Sequence, residues 1–295
     1  MRLVLTGATG FLGRRLAGEL AQGGHETHLL SRNPRGQAGS SRWDPMAGPP
    51  DPALFADCGA VVHLAGEPVA QRWTSAAKER ILASRVRGTL NLVEGLRRCE
   101  TRPEVLVCAS AVGYFGSRGD EVLTERSEPG TGFLAEVCRQ WEAAADTALE
   151  LGIRVVKVRF GVVLGGEGGA LAKMLPAFRL GLGGPLADGR QWMSWIHAAD
   201  AARLLVWSAE ERSARGAVNA VSPHPIQNKD FTLALGRVLR RPAVIPMPGF
   251  ALGLLFGEMS EVLTGSQRVL PEAAASGGFQ FRHVEVEEAL RALLY

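Results

Sequence analysis

Gly7, Gly10 and Gly13 stand between an apolar run, Leu3-Val4-Leu5, and a stretch whose apolar residues recur at Leu16, Ala17 and Leu20. A buried strand, a tight glycine turn and a helix, in that order, make a site for an anion. Gly7 allows the sharp exit from the strand, Gly10 lets a pyrophosphate approach the backbone, and Gly13 lets the helix pack closely on the sheet. The helix start then offers unpaired N–H groups and a positive dipole end. Thr9, Phe11 and Leu12 share the loop and would meet the same ligand. This is dinucleotide-binding chemistry, with the spacing G-x-x-G-x-x-G.

The second strand, His25 to Leu30, ends on Ser31-Arg32. That end meets the adenosine ribose, where an acidic residue would select a free 2′-hydroxyl. A guanidinium and a hydroxyl instead suit a 2′-phosphate, so NADP is expected over NAD. An ordinary exposed loop arginine is the alternative. Leu64 and Ala65 close the next short apolar run, Ala60 to Leu64, with side chains that let a cofactor lie close.

These residues need a frame, and the rest of the chain supplies one. A helix is expected from about Ser75 to Arg98, a strand from Val105 to Ala109, a helix from Phe133 to Leu149 and a strand from Arg154 to Arg159. The alternation predicts an α/β fold with a doubly wound parallel sheet. Residues 35–52, rich in Gly, Pro and Ser, read as a long surface loop with Trp43 as an anchor. Further on come a helix near 170–180, a helix from Ala198 to Glu211 and a closing sheet strand at Ala217 to Val221. A strand near Val244-Ile245 and a final helix from Glu285 to Leu294 complete the reading. Residues 1–165, completed by about 190–222, are expected to form the nucleotide domain. About 166–189 and 223–295 are expected to form a smaller C-terminal α/β lobe on the substrate side. The glycine-rich stretches Gly165 to Gly169 and Gly181 to Gly189 would border the cleft between them.

Composition narrows the partners. The 33 Lys and Arg against 30 Asp and Glu are scattered, which gives no footprint for nucleic acid. Cys58, Cys99, Cys108 and Cys138 have no C-x-x-C spacing and read as buried free thiols, with no metal site expected. The run Phe250 to Phe256 is too short to span a bilayer and reads as a buried helix or a partner patch. No membrane partner and a cytoplasmic location are expected, with a homodimer left open.

Longer strings carry a family likeness. They are T-G-A-T-G-F-L-G at 6–13, S-R-N-P at 31–34, H-L-A-G-E at 63–67 and R-W-T-S-A-A-K-E-R-I-L-A-S-R at 72–85. A-S-A-V-G-Y at 109–114, R-F-G-V-V-L-G at 159–165, F-R-L-G-L-G-G-P at 178–185 and W-I-H-A-A-D at 195–200 follow. Together they resemble the extended short-chain dehydrogenases/reductases, and more narrowly the atypical, sugar-epimerase-like subfamily of SDR39U1-type epimerase family proteins. The likeness covers essentially the whole chain and implies a Rossmann sheet. It also implies that Glu79, Arg85 and Val163 contact NADP, although spacing alone reads Glu79 and Arg85 as surface charge and Val163 as core.

The same resemblance exposes a gap. Members of the group usually carry a tyrosine and a lysine one helical turn apart. The tyrosine exchanges a proton with the substrate, and the lysine lowers its pKa and holds the nicotinamide ribose. With Glu142 aligned to the glutamate that often follows the pair, Leu134 and Cys138 take those two places. Ser110 and Tyr114 are the remaining catalytic candidates, with a purely structural hydroxyl pair as the rival reading. His197 reads more readily as a packing or capping residue than as an acid or base. Trp192 and Trp195 wall a cleft or anchor an interface. The expected function is an NADP-dependent oxidoreductase or nucleotide-sugar-epimerase-like enzyme without the usual pair. Its partner would be a small molecule, a nucleotide sugar or another carbonyl or hydroxyl compound. A non-catalytic NADP-binding regulator or scaffold is the alternative.

Overall fold

The computed structural model describes residues 1–34 and 39–295. Seven parallel strands form its main sheet: β1 (Arg2–Thr6), β2 (Glu26–Ser31), β3 (Ser40–Arg42), β4 (Cys58–His63), β5 (Val105–Ala111), β7 (Arg154–Phe160) and β11 (Gly216–Ala220). Their spatial order is β11-β7-β5-β4-β1-β2-β3. The order reverses between β1 and β4, which pair in register with Thr6 opposite His63. Crevices open at such a reversal, beyond the carboxyl ends of the strands.

The apolar runs explain why the strands are covered on both faces. Leu3, Leu5, Ala60, Val62, Val105, Val107, Val156 and Val158 point to one face. There they meet Leu16 and Leu20 of α1 (Phe11–Gln22) and Leu204 and Leu205 of α5 (Ala198–Glu210). Val4, Val61, Leu106, Cys108 and Val155 alternate to the other face. That face is covered by Leu92, Val93 and Leu96 of α2 (Ser75–Arg97) and by Trp141 and Ala145 of α3 (Phe133–Asp146). α3 ends three residues before the expected Leu149 and tightens into a 3-10 turn at Thr147–Leu151.

Short strands pair outside the main sheet. β8 (Val162–Leu164) runs parallel to β10 (Trp195–His197), and β9 (Trp192–Met193) is antiparallel to β12 (Ile226–Gln227). β6 (Val122–Leu123) pairs with β13 (Arg268–Val269). A separate core joins Leu171, Leu175 and Phe178 of α4 (Gly169–Arg179), Phe231 and Leu235 of α6 (Asn228–Leu239), and Leu290 of α10 (Val286–Leu294). The tail also returns to the first core. Ala274 of α9 (Glu272–Ser276) and the nearby Phe279 pack beneath the main sheet.

Three expectations change. The 35–52 stretch is not all loop, because Ser40–Arg42 adds a strand to the sheet edge and Pro52–Phe55 forms a 3-10 turn. Residues 35–38 of that reading lie outside the described residues. Trp43 is buried as expected, and its indole donates to the Gly48 carbonyl at 2.9 Å. No strand forms at Val244-Ile245, and both side chains are exposed. The Phe250–Phe256 run is a helix, α7 (Gly249–Phe256), but it buries only Leu252. A short α8 (Ser260–Thr264) follows it. All four cysteines are buried and free. Among the described residues no helix is long and apolar enough to cross a membrane.

Candidate functional site

The glycine loop sits at the sheet reversal, and its glycines are required by what surrounds them. Gly7 adopts φ +74°, and a Cβ there would lie 2.7 Å from the Leu64 carbonyl carbon. A Cβ on Gly13 would lie 2.3 Å from the Gly7 oxygen. The start of α1 carries no side-chain cap and no acid in its first turn. An uncapped N-terminus above close-packed glycines is an anion cradle, so the fold fits a pyrophosphate at this point.

A cleft of about 650 Å³ opens from the loop. Gly7, Thr9, Gly10, Ser31, Arg32, Leu64, Ala65 and Glu79 of the expected set all line it. Ser31 Oγ accepts the Asn33 N–H at 3.2 Å, and its own proton has no acceptor among the described residues. Arg32 is exposed and has no acidic partner among the described residues. Phe11, Leu12 and Gly13 form the first turn of α1 and are not among the lining residues. Sequence reasoning missed Trp43 to Met46 and Arg80, which close the wall. The surface-loop reading of 35–52 hid the first group, and Arg80 looked like any exposed helix charge.

Arg85 and Val163 are not among the residues lining this cleft. Arg85 lies beside the lining residue Gly66, donating to the Glu67 carbonyl at 2.9 Å and lying over the Trp141 ring at 5.0 Å. Burial holds its pKa below the ordinary range, with Cys138 and Glu67 opposing that shift. Val163 is partly buried in β8 and packs on the first core.

A second group gathers at the end of β5. Ser110 Oγ donates to Glu142 Oε1 at 2.7 Å, and Arg159 grips both carboxylate oxygens at 2.8 Å. All three side chains are buried. The Arg159 guanidinium lies 3.5 Å from the centroid of the half-buried Tyr114 ring. Burial opposes the Arg159 charge, yet hydrogen bonding and charge from Glu142 raise its pKa overall. Strand spacing alone gave no sign of this pair. Both segments carry other charges as well, Lys157 in the strand and Glu136 and Arg139 in the helix, so nothing in the sequence singled this pair out.

α3 turns Leu134 and Cys138 toward the same strand end. A Cβ on Gly113 would lie 3.2 Å from Leu134 Cβ and 3.9 Å from Cys138 Sγ. Burial and then Glu142 push the Cys138 thiol up to about 11, so it stays protonated at neutral pH.

The remaining candidates have structural work. His197 caps α5, its Nδ1 accepting the Ala199 N–H at 3.1 Å while its ring stacks on His283. Trp195 is fully buried, and its indole donates to the His224 carbonyl. Trp192 donates to Asp120 at 2.6 Å and carries Arg268 on its face. The glycine-rich stretches are explained by close packing. Gly165 and Gly168 seat the Phe11 ring, Gly183 seats Phe178, and Gly184 abuts the Ile245 backbone.

A seven-stranded parallel sheet with a glycine loop at its reversal defines a Rossmann-type protein of the short-chain dehydrogenase/reductase kind. A model of the NAD dependent epimerase/dehydratase family matches residues 3–221, and one for a domain of unknown function (DUF1731) matches residues 247–293. The chain belongs to the NAD dependent epimerase/dehydratase family. It is 40% identical over 305 residues to the chloroplastic SDR39U1 homolog, an epimerase family protein of Arabidopsis thaliana, covering 100% of this chain and 87% of the relative. The crystal structure of human epimerase family protein SDR39U1 (isoform 2) with NADPH superposes with a TM-score of 0.90 at 34% identity, over 99% of each chain. The nucleoside-diphosphate sugar epimerase of Corynebacterium glutamicum gives 0.83 at 35% identity, over 100% of this chain and 58% of the other.

Proposed function

We propose that the protein is an NADP-dependent oxidoreductase or epimerase-like enzyme that works without the usual tyrosine and lysine. The observation that carries the cofactor reading is the pairing, in one cleft, of the uncapped glycine cradle with Arg32, which has no acidic partner among the described residues. Arg32 and the Ser31 proton would hold the 2′-phosphate, and the Gly7 to Gly13 loop the pyrophosphate. Gly10, Leu64 and Ala65 leave room along the wall, and Glu79 lines the same cleft. The human SDR39U1 structure contains NADPH, which supports the same choice. In this reading Arg85 and Val163 contact the cofactor beyond the residues that line the cleft. Arg85 fixes the Glu67 carbonyl and places a half-buried cation beside Cys138, where the group normally has its lysine.

The nicotinamide supplies hydride chemistry when bound, and the chain's own residues supply proton handling. Ser110 commits its single proton to Glu142, so its oxygen is left to accept from a substrate hydroxyl. Tyr114 offers a half-exposed phenol on the same strand end, with Arg159 beneath its ring to stabilise negative charge. The substrate class we favour is a small carbonyl or hydroxyl compound, a nucleoside-diphosphate sugar among them. The division into residues 1–165 with 190–222, and 166–189 with 223–295, remains our working frame for cofactor and substrate sides. It is supported by the separate core around Phe231, although Ala274 and Phe279 belong to the first core.

A cofactor-bound crystal structure tests this reading. The Arg32 guanidinium is expected on the 2′-phosphate, and Ser110 and Tyr114 within hydrogen-bond reach of the ligand beside the nicotinamide C4. A screen of NADPH oxidation against nucleotide sugars, quinones and small carbonyls separates the enzyme from the binding-protein alternative.

A further inference from the structure

Arg42, the last residue of β3, is exposed and takes part in no ion pair, hydrogen bond or ring contact among the described residues. Its place in the sheet gives it a use. The parallel pairing of β2 with β3 sets Ser31 opposite Arg42. Laterally paired residues of neighbouring strands lie about 4.8 Å apart and point to the same face. The cores on either side say which face this is. Leu29 packs on the core beneath α1 and Leu30 in the core beneath α2, so Ser31 turns to the α1 face. Trp43, whose N–H continues the ladder to the Ser31 carbonyl, is buried in the α2 core, which turns Arg42 to the α1 face as well. β3 is the outermost strand of the sheet, so no further strand stands beside Arg42.

The acids nearby leave this cation available. Glu26 is the one acid on β2, at the far end of the strand, where it faces Arg2 at 3.7 Å. Asp44, Glu67 and Glu79 line the cleft. Asp44 accepts the Met46 N–H at 3.0 Å, and Glu67 lies 3.7 Å from Arg80. None of these acids pairs with Arg32 or Arg42 among the described residues. A phosphate monoester carries about −1.5 to −2 charges at neutral pH and three acceptor oxygens. One guanidinium grips two oxygens and supplies a single positive charge, so Arg32 alone leaves the group undercompensated.

We infer that Arg42 is a second cation of the 2′-phosphate site, acting with Arg32 and Ser31, and that it adds to the preference for NADP over NAD. This rests on the reading of the cleft as an NADP site.

Calorimetric titration with NADPH, NADH and adenosine 2′,5′-bisphosphate tests it. Arg42→Ala should weaken NADPH and the bisphosphate by about tenfold or more, the scale of a lost bond to a charged group, and leave NADH within about twofold. Arg42→Lys should recover part of the loss, because it restores the charge without the planar fork. Arg42 is exposed and unbonded, so the thermal midpoint of the unliganded Arg42→Ala variant should match the wild type. Wild-type affinity for NADPH in that variant would overturn the inference and leave Arg42 as a charge guarding the sheet edge. An equal loss for NADPH and NADH would overturn it too. A preference lost in Arg32→Ala and kept in Arg42→Ala removes Arg42 alone, whereas a wild type with no preference removes the NADP reading itself.

Discussion

Glu142 and Arg159 form a two-bonded ion pair in the interior, with Nε and Nη2 of the arginine each 2.8 Å from a carboxylate oxygen. The pair links α3 to β7, and Ser110 adds a third bond from β5. A carboxylate buried this deeply is tolerated because its partners satisfy it. Removing one side leaves an uncompensated buried charge. Glu142→Ala should therefore destabilise the protein by about 3–5 kcal/mol. Urea denaturation of the variant measures this, and a loss below about 1 kcal/mol would mean the pair is dispensable.

If the site turns over, Tyr114→Phe should lower the rate while leaving NADPH affinity intact. Acid–base assistance typically contributes about 10²–10⁴-fold, so the drop should be plain in steady-state kinetics. Ser110→Ala should behave likewise. Brisk reduction untouched by either change would remove both residues from the mechanism.

Two glycines on α1 provide an internal comparison. Gly13→Ala forces a Cβ against the Gly7 and Ala8 backbone, neither of which can rotate away. It should cost at least about 1–3 kcal/mol and damage cofactor binding. Gly18 has nothing within 4 Å of its added Cβ, so Gly18→Ala should stabilise by about 0.5–1 kcal/mol. Thermal melts with and without NADPH distinguish these outcomes.

Acid should unfold the protein partly through His63. Its Nδ1 lies 2.7 Å from Thr6 Oγ1 in the sheet interior, and burial, then Arg85, hold its pKa at about 4. The unfolded chain takes up this proton near pH 6.5, while the folded chain resists until about pH 4. Stability from this group is therefore complete above pH 6.5 and falls through that window, by about 3 kcal/mol in all. Urea midpoints at neutral pH and near pH 5 should show the fall. A pH-independent midpoint would contradict it.

Much of the fold was legible because parallel strands buried on both faces are continuous apolar runs, as at Leu3–Leu5 and Val105–Val107. The helices α1 and α2 followed from their apolar spacing. Ser40–Arg42 was not legible, since a polar edge strand satisfies its backbone by pairing with β2 and needs no apolar pattern. Val244-Ile245 misled in the opposite way, being β-branched residues with an exposed surface and no sheet to join. For the site, the loop glycines and Ser31-Arg32 were readable because their chemistry is local. The Glu142–Arg159 pair and the Arg85 bond to the Glu67 carbonyl depend on contacts between distant elements. Those contacts exist only once α2, α3 and β7 are packed.

The central claim is that Arg32 and Ser31 select a 2′-phosphate, and calorimetric titration of wild type and Arg32→Ala with NADPH and NADH tests it most directly. The wild type should bind NADPH more tightly, and the variant should lose about 1.5–3 kcal/mol of that preference while its affinity for NADH hardly changes. Equal wild-type affinity for the two dinucleotides, or an Arg32→Ala variant that keeps the full preference, would contradict the claim.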